Sequence, residues 1–174
     1  MGARVRSRSL PEEAAEYFRQ YTDLVPDGDI VTLLRAQLQE SLALLSTVSE
    51  EKACERYAPG KWSLKEVLGH VIDMEWTFTY RAMRFARGDS TPLSDVDQDL
   101  LIAGAQFEDR SLSSMVLEFG QLRAADTTLF ESLSDEALTR VGVASEREFT
   151  VRSLLYVIAG HELHHMQVLR ERYL

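Results

Sequence analysis

The sequence predicts an all-α protein, a four-helix bundle with one long crossover connection. Apolar residues recur at helical spacing along four long segments, whereas the alternation typical of half-buried strands is nearly absent. The longest polar interruption, Ser90–Asp99, separates the second segment from the third, so we expect the crossover there. Hydrophobic residues make up 45% of the chain and charged residues 27%, which is the balance of an ordinary globular protein.

The first two long helices have recognisable starts. Asp29 can cap a helix that runs to about residue 48, because its carboxylate can accept from a free backbone N–H. Ser63 and Glu66 form an S-x-x-E capping box, and Trp62 stands where a hydrophobic staple begins. Apolar residues at helical spacing follow until Gly88, where the second helix should end.

Shorter elements separate the remaining helices. Ser49 opens a short helical turn between the first two. The third long helix should run from about Ser111 to Leu133, and Ser134–Arg140 should form a short turn. The fourth helix should start after Thr150 and continue almost to the last residue.

The bulk properties limit what the chain can be. Its 174 residues suit one helical-bundle domain over residues 11–174, preceded by a flexible tail at residues 1–10. A formal net charge of −9 argues against nucleic-acid binding, and no apolar run is long enough for a membrane span or a secretory signal. The single cysteine, Cys54, fits a reducing compartment, so we expect a cytoplasmic protein.

The four histidines are the strongest chemical signal. His161 and His165 are four residues apart on one helix, so both can reach one metal ion, and His161 with His164 would also be neighbours. The apolar stripe of this helix decides between the pairs. His165 lies near the centre of the stripe and His161 on its flank, whereas His164 lies about 110° away and is expected at the surface, at an interface or behind a ligand.

A third ligand is needed, and His70 on the second long helix is the remaining histidine. Periodicity puts it about 90° from the centre of its apolar stripe, so on geometry alone an ordinary helix-surface histidine stays an open alternative. Residues 161–165 also match the H-E-x-x-H signature of zinc metalloproteases. That interpretation is disfavoured, since the only acid after His165 is Glu171, too near on the same helix to fold back as a ligand.

Two segments resemble the conserved helices of the DinB/YfiT-like superfamily. Residues 62–73, WSLKEVLGHVID, are similar to its "WS-x-x-E-v-l-g-H" helix, and residues 159–165, AGHELHH, to its "GHE-x-HH" helix. The resemblance extends from about Tyr17 to Tyr173. It implies a four-helix bundle with long crossovers, a metal held by His70, His161 and His165, and frequent homodimers. Characterised relatives include thiol-dependent isomerases and S-transferases that use mycothiol or bacillithiol.

Three neutral imidazoles would leave a divalent ion with its full charge and an open coordination position. Such an ion activates bound water or a bound thiol as a nucleophile. We therefore expect a metal-dependent enzyme acting on a small electrophilic molecule, by a thiol (transferase- or isomerase-like) or by water (hydrolase-like). The metal could be zinc, nickel or iron, with a low-molecular-weight thiol as a possible cosubstrate. The alternative is a non-enzymatic metal-binding stress or ligand-binding protein.

Several acidic residues have two interpretations each. Glu162 faces inward and could act as a catalytic proton shuttle, or it could form a buried ion pair, for which Arg81 is a candidate partner. Glu75 invites the same two interpretations. The acidic cluster at residues 95, 97 and 99 could bind a hard cation, although a solvated loop is favoured. Relatives often have "LP-g-f-D-x-D" at this loop, and the second proline is missing here, which leaves the role of Asp97 open.

Overall fold

The computed structural model describes residue 13 and residues 15–174. The predicted flexible tail at residues 1–10 lies outside this part. The described chain forms helices α1 (Glu16–Thr22), α2 (Ile30–Leu45), α3 (Glu50–Ala53), α4 (Leu64–Ala86), α5 (Gln98–Ala105), α6 (Leu112–Glu131), α7 (Asp135–Thr139) and α8 (Val151–Arg172), and strands β1 (Val141–Ala144) and β2 (Arg147–Thr150). The four long helices α2, α4, α6 and α8 form the predicted bundle.

The predicted helix starts are confirmed by their caps. Asp29 accepts a hydrogen bond from a backbone N–H in the first turn of α2. At α4 both halves of the capping box are present, because Ser63 accepts from the N–H of Glu66 while the Glu66 carboxylate accepts from the N–H of Ser63. Ser111 and Thr150 cap α6 and α8 through their hydroxyl oxygens, which accept from the backbone N–H groups of Ser114 and Ser153. Each satisfies an N–H that the helix itself leaves free.

The long crossover is also confirmed, between α4 and α6. Lys65 near the start of α4 donates to the carbonyl of Arg110, just before α6, while Thr79 further along α4 donates to Asp126 further along α6. Residue numbers thus increase in the same direction along both helices, so α4 and α6 are parallel neighbours. Parallel helices require the intervening chain, residues 87–111, to return along the full length of the bundle. In cross-section α4 packs beside α6 and α8.

A β-hairpin and two helices were not predicted. Strands β1 and β2 pair antiparallel, joined by a turn in which Ser145 and Glu146 have φ of 51° and 60°. Such turns usually carry glycine or asparagine, so this sequence gives no local hairpin signal. The crossover supplies the support, because Leu93 exchanges backbone hydrogen bonds with Val143 and Ser145. Helices α1 and α5 were missed because they are short, and the predicted turn at Ser134–Arg140 contains α7.

The apolar core divides into two clusters along the bundle. One cluster contains Phe78 on α4 and Leu154 on α8, and the other contains Leu68 on α4 and Leu169 on α8. Between them every long helix contributes a buried polar residue, and we call these four the polar layer: Ser41, Glu75, Arg123 and Glu162. The histidines lie near this level of the bundle. No helix in the described part of the chain is long and apolar enough to cross a membrane.

Candidate metal centre

The structure brings His70, His161 and His165 together where α4 and α8 pack. The Nε2 atoms of His70 and His161 are 3.0 Å apart, and one ring nitrogen from each of the three residues lies within 4.8 Å of the others. The ring centroids of His161 and His165 are 4.4 Å apart. His70 and His161 are only 4% and 5% exposed, and His165 is half-buried. The sequence-predicted ligands thus converge on one point.

Burial and mutual proximity keep these imidazoles neutral. Burial lowers the pKa of His70 to about 4, with a further contribution from His164. Burial, together with His70 and His164, lowers the pKa of His165 to about 3. Burial again comes first in holding the pKa of His161 well below its ordinary value. Neutral imidazole is the form that binds metal ions, so the cluster is ready to bind at neutral pH.

Two details of burial differ from the sequence prediction. His70 was placed at the edge of its apolar stripe, yet it is buried, because α8 covers one side of it and the Trp62 ring lies 5.1 Å from its ring on another. His161, placed on the flank of α8, is more buried than His165. The reason is α1, whose Tyr21 ring lies 5.3 Å from the His161 ring. Elements that sequence periodicity does not reveal cover both flanks.

Two glycines permit this close packing. A Cβ added to Gly160, which directly precedes His161, would lie 2.0 Å from the Tyr21 carbonyl oxygen. A Cβ added to Gly69, next to His70, would lie 2.4 Å from the ring of Phe107. Distances this short are impossible, so any side chain would push the neighbouring segment away. Glycine beside each buried histidine therefore sets how tightly the surrounding segments enclose the cluster.

His164 lies outside the cluster of three. It is half-buried, and its ring packs 5.5 Å from that of Tyr21 and 4.9 Å from that of His165. This agrees with the predicted position away from the inward face. Its ring contacts place it beside His165 of the cluster.

Glu162 points away from the histidines into the polar layer. Its Oε1 accepts from the Ser41 hydroxyl at 2.6 Å, and its Oε2 accepts from Arg123 Nη1 at 2.7 Å. The predicted pairing with Arg81 is wrong, because Arg123 on α6 supplies the cation. The catalytic role of Glu162 stays a prediction, and these contacts favour the ion-pair interpretation. Burial raises the pKa of Glu162, against the opposite effect of Arg123.

Arg123 is the centre of the polar layer. It is fully buried, and its Nε and Nη2 donate to the two oxygens of Glu75 at 2.5 Å and 2.8 Å. Burial alone would lower its pKa, but Glu75 and Glu162 raise it far above its ordinary value. A further acid, Asp126, accepts from Thr79 at 2.8 Å, and burial together with Glu75 raises the pKa of Asp126 to about 7.

A cavity of about 270 Å³ opens beside the histidine cluster. His70 and His161 lie in its wall, and the rest comes from α1, α4, the crossover loop and the turn of the hairpin. Sequence reasoning missed most of this wall, including Tyr21, Ser145 and Arg147. Burial and the neighbouring Tyr17 raise the pKa of Tyr21 to about 12, so its phenol stays protonated.

The acidic loop contributes structure to this wall. Asp97 caps α5 by accepting from two backbone N–H groups, which gives it a structural role. Asp95 accepts from the Ser145 hydroxyl at 2.6 Å, and this bond, followed by one from the N–H of Val96, lowers the pKa of Asp95. This bond ties the loop to the hairpin.

A second cavity of about 340 Å³ lies on another side of the cluster. Trp62, His164 and His165 line it, with two tyrosines and Lys61. Trp62, predicted to be a helix staple, thus also contacts His70 and forms part of a cavity wall. The histidine cluster can therefore be reached from two sides.

The donor set fits one divalent ion. In a tetrahedral site with metal–nitrogen bonds of about 2.0–2.1 Å, ligand nitrogens are about 3.4 Å apart. The Nε2 atoms of His70 and His161 are 3.0 Å apart, close to this value, and the three candidate ligand atoms together lie within 4.8 Å of one another. Three protein ligands with adjoining cavities resemble catalytic sites, which keep an open position, more than closed structural sites.

Comparison with known proteins supports the fold. The family model described as the DinB superfamily matches residues 33–169. Among solved structures, YfiT from Bacillus subtilis aligns with a TM-score of 0.69 at 15% sequence identity, over 97% of this chain and 95% of that one. YfiT is described as a probable metal-dependent hydrolase with an unusual four-helix bundle topology. No curated protein matches the sequence.

Proposed function

The chain belongs to the DinB superfamily, and from that premise we propose that it is a metal-dependent hydrolase acting on a small electrophilic molecule. His70, His161 and His165 would hold the ion. The observation that carries the proposal is the convergence of three buried or half-buried, neutral imidazoles beside a cavity. The description of YfiT as a probable metal-dependent hydrolase supports the same reaction class.

The residues around the ion have separable tasks. A divalent ion in such a site lowers the pKa of a bound water toward neutrality. The apolar side chains of Met74 and Phe78 line the cavity and limit access of bulk water. Tyr21, whose phenol is protonated at neutral pH, can donate a hydrogen bond to an oxygen of the bound molecule. At about 270 Å³ the cavity is at the small end of ligand sites, which favours a compact substrate.

A second candidate is a thiol transferase or isomerase. The second cavity favours it, because a cosubstrate beside His165 and an electrophile beside His161 would reach the same ion from different sides. A bound thiol is deprotonated more readily than water, so the same three histidines serve both reactions. Turnover that requires an added low-molecular-weight thiol would select this candidate over hydrolysis.

Metal content is the first test. Protein purified without a histidine tag should contain close to one divalent ion per chain by elemental analysis. His161→Ala should lose it, while the matched control His164→Ala, a half-buried histidine three residues away, should keep it. Retention of metal by His161→Ala would show that the proposed ligands are wrong. The element found would also decide among zinc, nickel and iron.

Activity is the second test. The metal-loaded protein should hydrolyse members of a panel of small esters, amides and lactones, and chelation should abolish turnover. A fully loaded protein that turns over no substrate, with water or with any thiol, would contradict enzymatic function. That result would favour the alternative, a metal-binding stress or ligand-binding protein.

Assembly and location complete the proposal. We expect a homodimer in the cytoplasm, on the strength of the family resemblance and of an unpaired, exposed Cys54. Light scattering should give twice the chain mass of 19.8 kDa. A monomer at micromolar concentration would rule out the dimer and leave the metal site untouched.

A further inference from the structure

The wall of the first cavity contains a buried cation without an ion-pair partner in the described part of the chain. Arg81 is 3% exposed and lines the cavity. Its Nη2 donates to the carbonyl of Ser94 and to the hydroxyl of Ser145, both at 3.0 Å. Its other two nitrogens, Nε and Nη1, carry three more N–H groups that make no hydrogen bond with residues 15–174, and neither nitrogen is fully buried, so solvent in the cavity reaches them. A guanidinium cannot lose its proton in a protein, so its charge is present in the cavity.

The surroundings do not fully offset this charge. Burial lowers the pKa of Arg81, and Asp95 counteracts this only at a distance, through the Ser145 hydroxyl that lies between them. By contrast, Arg123 in the polar layer has two carboxylates in direct contact. A buried charge is costly unless it is paired. The contrast between these two buried arginines indicates that an anionic partner of Arg81 comes from outside the described residues.

A second cation reinforces the positive charge of the cavity. Arg147, an exposed residue of β2, lines the same cavity, and its guanidinium lies 5.7 Å from the ring of Tyr17. The cavity wall thus carries two guanidiniums against the single carboxylate of Asp95. This local excess occurs in a chain of net charge −9, so it is contrary to the overall composition.

We propose that Arg81 binds a carboxylate group of the substrate, with Arg147 at the same cavity attracting the anion. The substrate class is therefore a small carboxylic acid that carries its electrophilic group at the other end. This inference rests on the proposed function for that electrophilic end, whereas anion binding by Arg81 stands on its own contacts.

The spacing along α4 supports this arrangement. His70, Met74, Phe78 and Arg81 all line the cavity and recur every three or four residues, so they share one face of the helix. The eleven residue steps from His70 to Arg81 span about 16 Å along the helix, but helical side chains lean toward the N-terminus, which brings the long Arg81 side chain toward His70. The apolar side chains between them would contact a short hydrocarbon segment. Such a substrate would be oriented with its charge away from the histidines.

Calorimetry with succinate and its uncharged analogue succinamide tests the proposal on metal-loaded protein. Succinate should bind and succinamide should not. Arg81→Gln should weaken succinate binding by about tenfold or more, since a charge-assisted hydrogen bond in a buried site is lost. Arg81→Lys, which keeps the charge, should retain part of the affinity. The matched control Arg87→Gln removes the same charge from an exposed position of the same segment and should leave binding unchanged.

Several results would overturn the proposal. These are equal binding of succinate and succinamide, unchanged binding in Arg81→Gln, tighter binding of inorganic phosphate than of succinate, or no binding of any carboxylate. If Arg81→Gln fails to fold, Arg147→Gln is measured instead. A few-fold loss of succinate affinity at low salt, which becomes smaller at high salt, supports the proposal. An unchanged affinity contradicts it.

A metal-free sample separates this inference from the proposed function, because a carboxylate can also bind a metal ion directly. Succinate binding that depends on Arg81 but persists after chelation supports the anion site whatever the metal does. Absence of any metal in purified protein would remove the proposed function while leaving that result intact. If the metal-loaded, active enzyme binds succinate equally well with and without the Arg81 side chain, the anion site alone is contradicted.

Discussion

The acid Asp126 gives the polar layer a measurable pH dependence. It is 4% exposed, and burial together with Glu75 raises its pKa from 3.8 to about 7. The substitution Asp126→Asn keeps the size of the side chain and an oxygen that can accept from Thr79, and it removes the ionisable proton. We therefore expect the variant to be more stable than the natural protein at neutral and alkaline pH.

The sign and size of this stability difference follow from proton linkage. Between about pH 4 and pH 7 the unfolded chain releases the Asp126 proton while the folded protein keeps it, so stability falls as pH rises and levels off above the folded pKa. A shift of about 3 units at about 1.4 kcal/mol per unit corresponds to roughly 4 kcal/mol over the whole range. Between pH 5 and pH 8 the advantage of Asp126→Asn should therefore grow by roughly 2–3 kcal/mol.

Urea denaturation at pH 5, 6, 7 and 8 measures this difference. At each pH the free energy of unfolding of the natural protein is subtracted from that of the variant. Contributions from groups that titrate in the same way in both proteins, including the histidines, cancel in this difference. Asp23→Asn, the same substitution at an exposed site, is the matched control and should show no comparable trend. A stability difference for Asp126→Asn that stays constant from pH 5 to pH 8 would refute the assigned pKa and with it the electrostatic account of this layer.

Three further substitutions test the packing around the site by urea denaturation. Gly160→Ala should lower the free energy of unfolding by roughly 1–3 kcal/mol, since its Cβ would lie 2.0 Å from a backbone oxygen of α1. The control Gly120→Ala, whose Cβ would have no neighbour within 4 Å, should raise it by about 0.5–1 kcal/mol. Equal effects of the two substitutions would contradict the importance of the α1 contact. Arg123→Met should cost about 3–5 kcal/mol of unfolding free energy, because two buried carboxylates lose their cation, and a loss below 1 kcal/mol would contradict a stabilising role for these two ion pairs. Ser63→Ala should cost about 1 kcal/mol through the lost cap of α4, and a similar loss in exposed Ser113→Ala would argue against a specific cap effect.

The bundle and the pairing of His161 with His165 could be predicted because their signals are local, whereas the assignment of His70 depended on the family resemblance, since its periodicity alone left a surface position open. A cap residue such as Ser63 acts on backbone groups within one turn, and the spacing of His161 and His165 determines their common face whatever surrounds the helix. The crossover was predictable for a similar reason, since a long polar interruption between apolar segments leaves the chain free to return along the bundle.

The cavity wall and the polar layer could not be predicted because they depend on contacts between distant segments. The turn at Ser145 has no glycine or asparagine to mark it and depends on Leu93 in the crossover. Periodicity placed Glu162 on an inward face, but it could not say which of the inward arginines would meet it. Arg123 lies on α6 in the polar layer and reaches Glu162, whereas Arg81 lies further along α4 than Glu75, the residue that α4 contributes to this layer, and contacts the crossover and the hairpin.

The H-E-x-x-H match shows what a helix motif leaves undetermined. Consecutive residues on a helix point about 100° apart, so His161 and Glu162 necessarily face different neighbours. Here α1 and α4 lie against the histidine, whereas α2 and α6 lie against the glutamate and supply Ser41 and Arg123 as its partners. To accept a proton from a molecule in the cavity, Glu162 would have to leave Ser41 and give up its buried ion pair with Arg123, which would then keep only Glu75 as a partner. The same five letters can therefore describe a proton-transferring acid in one fold and an ion-paired residue in another, and the helices that cover each side of the motif decide between them.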